Sequence, residues 1–182
     1  MSSGFHRRRG GHLTVVFEPG EAGVLHTLFR ELIEMLDDGE RLVGDDPLAQ
    51  AFGNVDDRKK PDDPALARLL PDGYSDDDES SQDFRRYTEG DLRAGKANAA
   101  TVARDSLGDG GKIDLTPEQG QAWLSVLNDL RLTFGVRLEV TEDHELAFSL
   151  LSDDDPRKQA WYVYDWLGYL QQTLIEALMR DL

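Results

Sequence analysis

The hydrophobic positions of this chain fall into three long runs at helical spacing, one weaker run, and one short run that alternates. Leu25, Leu28, Phe29, Leu32 and Leu36 recur at intervals of three and four, which places them on one face of a helix. Trp123, Leu127, Leu130, Phe134 and Leu138 do the same. So do Val163, Leu167, Leu170, Leu174 and Leu178, where Trp161, Tyr164, Trp166 and Tyr169 widen the stripe. So broad an apolar surface suits a helix central to a bundle, with a homodimer contact as the alternative. The weaker run is Phe84, Leu92, Ala99, Val102 and Ala103, in an alanine-rich and highly charged stretch. Near the start, His12 to Glu18 is β-rich after Gly10-Gly11, a pair that tolerates positive φ in a turn.

Start and stop signals set the boundaries. Pro19 suits a first helical position and Gly39 an end, giving a helix over 19–39. Thr116, Pro117 and Gln119 form a capping-box pattern that starts a helix over 116–138. Asp155 caps a last helix over 156–179, and Asp153 and Asp154 favour the positive end of its dipole. The charged run makes a helix over 81–107. Residues 40–80 read as a loop with short helices. One lies around Pro47 to Phe52, another at DDPALARLLPDGY with Asp63 as N-cap and Pro64 just inside. Between them NVDDRKKPDD reads as a mobile loop, and SDDDESS as a solvated charge run. Residues 4–18 make a hairpin that must pack on something, because a lone hairpin is marginal. The expected fold is mainly α: one domain over 1–182, a bundle of about four principal helices with a small N-terminal β-hairpin.

Charge changes the picture of partners. The chain has 36 acidic against 20 basic residues, a net charge of -16. Such a field repels nucleic-acid phosphates and favours basic protein faces or cations, so direct DNA binding by the chain alone is not expected. The one basic cluster near a terminus is Arg7, Arg8 and Arg9, a candidate phosphate patch or a guarded strand edge. The sequence lacks cysteine, which removes disulfides, thiolate metal sites and thiol redox sensing from this chain. The N-terminal MSSGFHRRRGG has no apolar core of a secretory signal, and no run is apolar enough to span a membrane, so cytoplasm is the default expectation.

Candidate chemistry is sparse. DSLGDGGKIDLTPE, from Asp105 to Glu118, has the look of an EF-hand loop, but its spacing fails. Leu107 stands at the third position and Thr116 at the twelfth, where calcium needs carboxylates. The histidines His6, His12, His26 and His144 include no i, i+4 pair and no HExxH. There is no GxSxG, P-loop or GxGxxG. No catalytic, cofactor or metal residue is assigned, and an enzyme is not expected. The polar residues that stand out are Asn128, Asp129 and Arg131, inside an apolar helix. The helical wheel puts Asn128 and Arg131 at the edge of the core, beside Leu124 and Gly135, with Asp129 further round. They are candidates for an interhelical hydrogen-bond network or a partner contact. Arg85 and Arg86 alternate with acids in FRRYTEGDLR and are candidates for helix-surface or interhelical pairs.

Four stretches carry a family resemblance: DPALARLLPDGY, FRRYTEGDLR, AWLSVLNDLRLTFGVRLEV and YDWLGYLQQTL. In that order they resemble an actinobacterial family of unknown function, encoded near the gene of the Clp protease adaptor. Some members of it are described as oxidative-stress-responsive transcription regulators that work with a sigma factor. The resemblance implies a regulator that acts through protein contacts, with a sigma factor or another transcription component as partner. Its gene neighbourhood implies the alternative of an adaptor in Clp proteolysis; a small-molecule or metal-binding protein is a third class. Redox sensing in those relatives is attributed to paired cysteines, which this chain does not have.

Overall fold

The computed structural model describes residues 3–37, 60–73, 78–142, 144–152 and 154–179. The short helix expected around Pro47, the helix end at Gly39, most of the NVDDRKKPDD stretch and residues 75–77 of SDDDESS lie outside them, and the rest of SDDDESS opens a helix. The chain is mainly helical, with a three-stranded antiparallel sheet.

The expected hairpin is present and is part of that sheet. Strand β1 (His6–Arg7) pairs with β2 (Leu13–Phe17) around a 3-10 turn, Arg9–Gly11. Gly10 and Gly11 take φ of 78° and 81° there, a region that costs other residues strain. Leu13, Val15 and Phe17 turn inward and Val16 outward, the period of two that buries one face of a sheet. The third strand, β3 (Gly111–Leu115), pairs Ile113 with Val15 and Leu115 with Leu13. It comes from the segment with the calcium-loop look. Gly108, Gly110 and Gly111 all have positive φ and turn the chain tightly enough to bring it back as a strand.

Helix α1 (Pro19–Leu36) buries Leu25, Leu28, Phe29, Leu32 and Leu36, the stripe read from spacing. The short α2 (Pro64–Leu69) starts at Asp63, whose carboxylate accepts from the backbone of Ala65 at 2.8 Å. Helix α3 (Asp78–Leu107) begins three residues before the expected start. Helix α4 (Pro117–Arg137) has the capping box, with Thr116 and Gln119 each accepting the other's backbone N–H. A short α5 (His144–Ser149), not anticipated, stacks Phe148 on Trp161 at 4.5 Å. Helix α6 (Pro156–Met179) closes the bundle and buries Leu167, Leu170 and Leu174.

Helix α1 packs on α3, α3 on α4, and α4 on both α2 and α6. Trp123 is the hub of the core: its ring stacks on Phe17 at 5.7 Å and meets Phe5 and Phe29 edge-on. Its indole N–H donates to Ser106 Oγ at 2.8 Å, so the one polar atom of the ring is satisfied. The sheet is sealed to the far end of the chain: Phe5 N–H donates to Thr173 Oγ1 at 3.1 Å.

Candidate functional site

Helix α3 turns inward a row that no hydrophobicity pattern selects. Its buried line is Ser81, Arg85, Glu89, Arg93, Ala100, Ala103 and Leu107, with Lys96 half-buried in step. The first half is therefore charged on the inside. Phe84 and Leu92, expected in the core, are 44% and 40% exposed, and Tyr87 is 72% exposed. The stripe expected on this helix is thus corrected: its N-terminal half is turned with apolar groups outward and ions inward.

The buried ions form a ladder at i, i+4 spacing. Arg85 Nη1 donates to Glu89 at 3.2 Å and to the Leu70 carbonyl at 3.3 Å, while Nη2 pairs with Asp72. Glu89 accepts from Arg93 Nε at 2.8 Å. Arg93 Nη1 reaches the Leu36 carbonyl at 3.5 Å, at the C-terminal end of α1, where the helix dipole favours a cation. One carboxylate thus sits between two guanidiniums, and the ladder ties α1 and the segment after α2 to α3. Lys60 and Arg85 beside Asp72 hold its carboxyl below the usual range.

The next rung is Lys96, whose ammonium donates to Asp129 Oδ1 at 2.6 Å across the α3–α4 seam. The wheel placement of Asp129 is corrected by this contact: the residue is 1% exposed and faces α3. Asn128, expected at the core edge, is exposed instead. The two are adjacent, so a rotation of the helix by one residue's arc exchanges their surroundings. Asp129 Oδ2 is buried and accepts no hydrogen bond. Burial pushes the Asp129 carboxyl above its ordinary range, against the pull of Lys96.

Arg131 lies on the other side of α4, facing α6. Nη1 donates to Gln171 Oε1 at 2.5 Å, and the guanidinium lies 5.3 Å over the Tyr164 ring. The guanidinium packs beside Gly168 of α6. Asp129 and Arg131 therefore belong to two different seams, and Arg85 to a third junction; the fold does not gather the sequence's candidates in one place. Arg86 lies on α3 with its side chain outside the described residues.

The arginine triplet is dispersed as well. Arg7 donates to the carbonyls of Ala177 and Leu178 at 3.3 and 3.1 Å, at the C-terminal end of α6. Arg8 pairs with Asp114 of β3 at 3.8 Å. Arg9 projects from the turn, exposed.

Reading the sequence missed the partners: Asp72, Glu89, Arg93, Lys96 and Gln171. The Arg85, Glu89, Arg93 spacing is the one signal that marks a paired row in advance. Among the described residues no group of histidines and carboxylates is placed to hold a metal ion. Among them also, no helix is long and apolar enough to cross a membrane.

Residues 2–178 match the family described as "Domain of unknown function (DUF2017)", and the chain belongs to that family. It is similar to the "Oxidative stress regulator AosR" of Mycobacterium tuberculosis and of Mycobacterium bovis, at 33% identity over 94% of this chain and 84% of the relative. It is also 31% identical to the "Putative oxidative stress regulator AosR" of Mycobacterium leprae, over 93% of this chain and 84% of that protein. No solved structure gives a significant match.

Proposed function

We propose that this chain is a non-enzymatic, stress-linked regulator that acts through protein–protein contacts, with a sigma factor or another transcription component as its partner. The observation that carries the regulatory part is its likeness, along nearly its whole length, to proteins named for oxidative-stress regulation. The contact part is supported by the inverted first half of α3. Its ions are spent on holding the fold, while Phe84, Tyr87 and Leu92 stand exposed beside the exposed acids Asp83 and Asp91. Exposed apolar groups beside carboxylates are suited to a partner surface with basic groups around an apolar centre. The net charge of -16 adds a long-range pull on such a partner. The signal does not enter through a thiol, because there is none.

The test is affinity capture from an actinobacterial lysate, with a charge-matched acidic protein as control and mass spectrometry of what is retained. Retention of a sigma factor or polymerase by the wild type, lost in Tyr87→Ala and Leu92→Ala with unchanged melting temperature, is the expected result. Tight promoter binding by the purified chain alone overturns it. Retention of Clp components instead moves the function to the second reading, a proteolytic adaptor.

A further inference from the structure

Between α2, the end of α4 and the start of α6 lies a groove of about 480 Å³. That is within the size range of small-molecule sites. Its walls are Val136, Val140 and the Tyr164 ring, and two guanidiniums, of Arg68 and Arg131, reach it. Acids outnumber bases 36 to 20 in this chain, so an arginine is expected to find a carboxylate. Arg137, on the same stretch of α4, does so with Asp63 at 2.5 Å. Among the described residues Arg68 and Arg131 do not. Arg131 spends Nη1 on the neutral Gln171 and its face on Tyr164, Nε is buried with no acceptor, and Nη2 has none either. Arg68 is exposed and has no partner among the described residues.

The rim of the groove carries a second anomaly. Helix α4 ends in a Schellman turn: the N–H of Val140 bonds the Gly135 carbonyl at 2.9 Å, and that of Glu139 bonds Val136 at 3.2 Å. The residue that must take the left-handed conformation there is Glu139, at φ 51°. Glycine is the usual occupant, and strain kept in a fold is concentrated where a site needs it. Here it holds the turn that forms the groove wall and keeps Glu139, the one carboxylate of the lining among the described residues, exposed at the edge.

We infer that this groove binds a small organic carboxylate with an apolar body. The carboxylate lies against the exposed guanidinium of Arg68, whose planar fork matches two oxygens, and against the unpartnered Nη2 of Arg131. The body lies on Val136, Val140 and Tyr164. The inference is independent of the regulatory reading, because binding is measured on the purified chain.

Benzoate is the probe, titrated calorimetrically at constant ionic strength, with benzamide as its uncharged counterpart. Saturable binding of benzoate is expected, with benzamide at least about tenfold weaker, the scale of a lost charge-assisted contact. Arg68→Gln is expected to weaken benzoate roughly tenfold without moving the melting temperature, since this side chain is exposed and supports nothing. Arg131→Lys keeps the charge but not the fork, and is expected to weaken it as well. Arg9→Gln, outside the groove, is expected to change nothing. The inference is overturned by any of four results: no saturable binding by about 10 mM, equal binding of benzoate and benzamide, full affinity in Arg68→Gln, or an equal loss in Arg9→Gln.

Discussion

Lys96 reaches across the α3–α4 seam to one oxygen of Asp129, and the other oxygen of that carboxylate is buried with no donor. The pair is thus half-satisfied, and the ionised carboxylate carries a desolvation penalty that one ammonium does not cancel. The folded carboxyl titrates above its unfolded value of 3.8. In the window between 3.8 and that raised value the native chain binds more protons than the unfolded one, so this group's contribution falls as pH rises. Asp63 and Asp72 act oppositely. Their carboxyls titrate below 3.8, and their stabilisation is lost as pH falls beneath it. Melting wild type and Asp129→Asn side by side should show the wild type losing ground as pH rises through the window, then a constant difference. Parallel curves would refute the assignment.

Glu89 lies between Arg85 and Arg93 with all three side chains nearly buried. Glu89→Ala leaves two guanidiniums without their shared anion, and is expected to cost about 3–5 kcal/mol. Glu89→Gln retains an acceptor and should cost less. Urea denaturation of the two variants checks the order. Arg85→Lys should not behave as wild type, since one ammonium cannot serve Leu70, Asp72 and Glu89 in the same geometry.

Glu139→Gly relieves a left-handed backbone at the Schellman position and is expected to stabilise the chain by about 1 kcal/mol. Thermal melting is the measurement. A loss of stability would mean that the Glu139 side chain contributes more than its backbone costs.

Ser106→Ala removes the acceptor of the Trp123 indole N–H at the centre of the core. With the ring wholly buried, the orphaned donor is expected to cost about 1–3 kcal/mol in chemical denaturation. Gly120→Ala probes the same layer by volume. An added methyl would collide with the tip of the Leu13 side chain, which is itself wholly buried and has little room to turn away, so destabilisation is expected.

Helices α1, α4 and α6 were legible because their core faces are made of large apolar groups at regular spacing. The caps at Thr116 and Asp63 were legible because they are local chemistry. Strand β3 was not: Ile113 and Leu115 are a single alternation, among glycines whose turn only becomes visible once β2 is there to pair with. The inward row of α3 was hidden for a different reason. Hydrophobicity ranks Phe84 and Leu92 above Arg85 and Glu89, and the ranking fails where ions satisfy one another out of water. The candidate groove was partly in view through Arg131. Arg68 and Tyr164 join it only through the packing of α2 and α6 against α4.

The bonds from Phe5 to Thr173 and from Arg7 to Ala177 and Leu178 join positions about 170 residues apart. On a ribosome, the first strand therefore emerges long before its final neighbours exist. Phe5 and the sheet face beside it must wait, while about 170 further residues are made, for the helix that covers them. The slowest contacts to form are the ones that shut the molecule. A nascent chain stalled before α6 would present the Phe5, Phe17 and Trp123 cluster to whatever chaperone or protease is at hand.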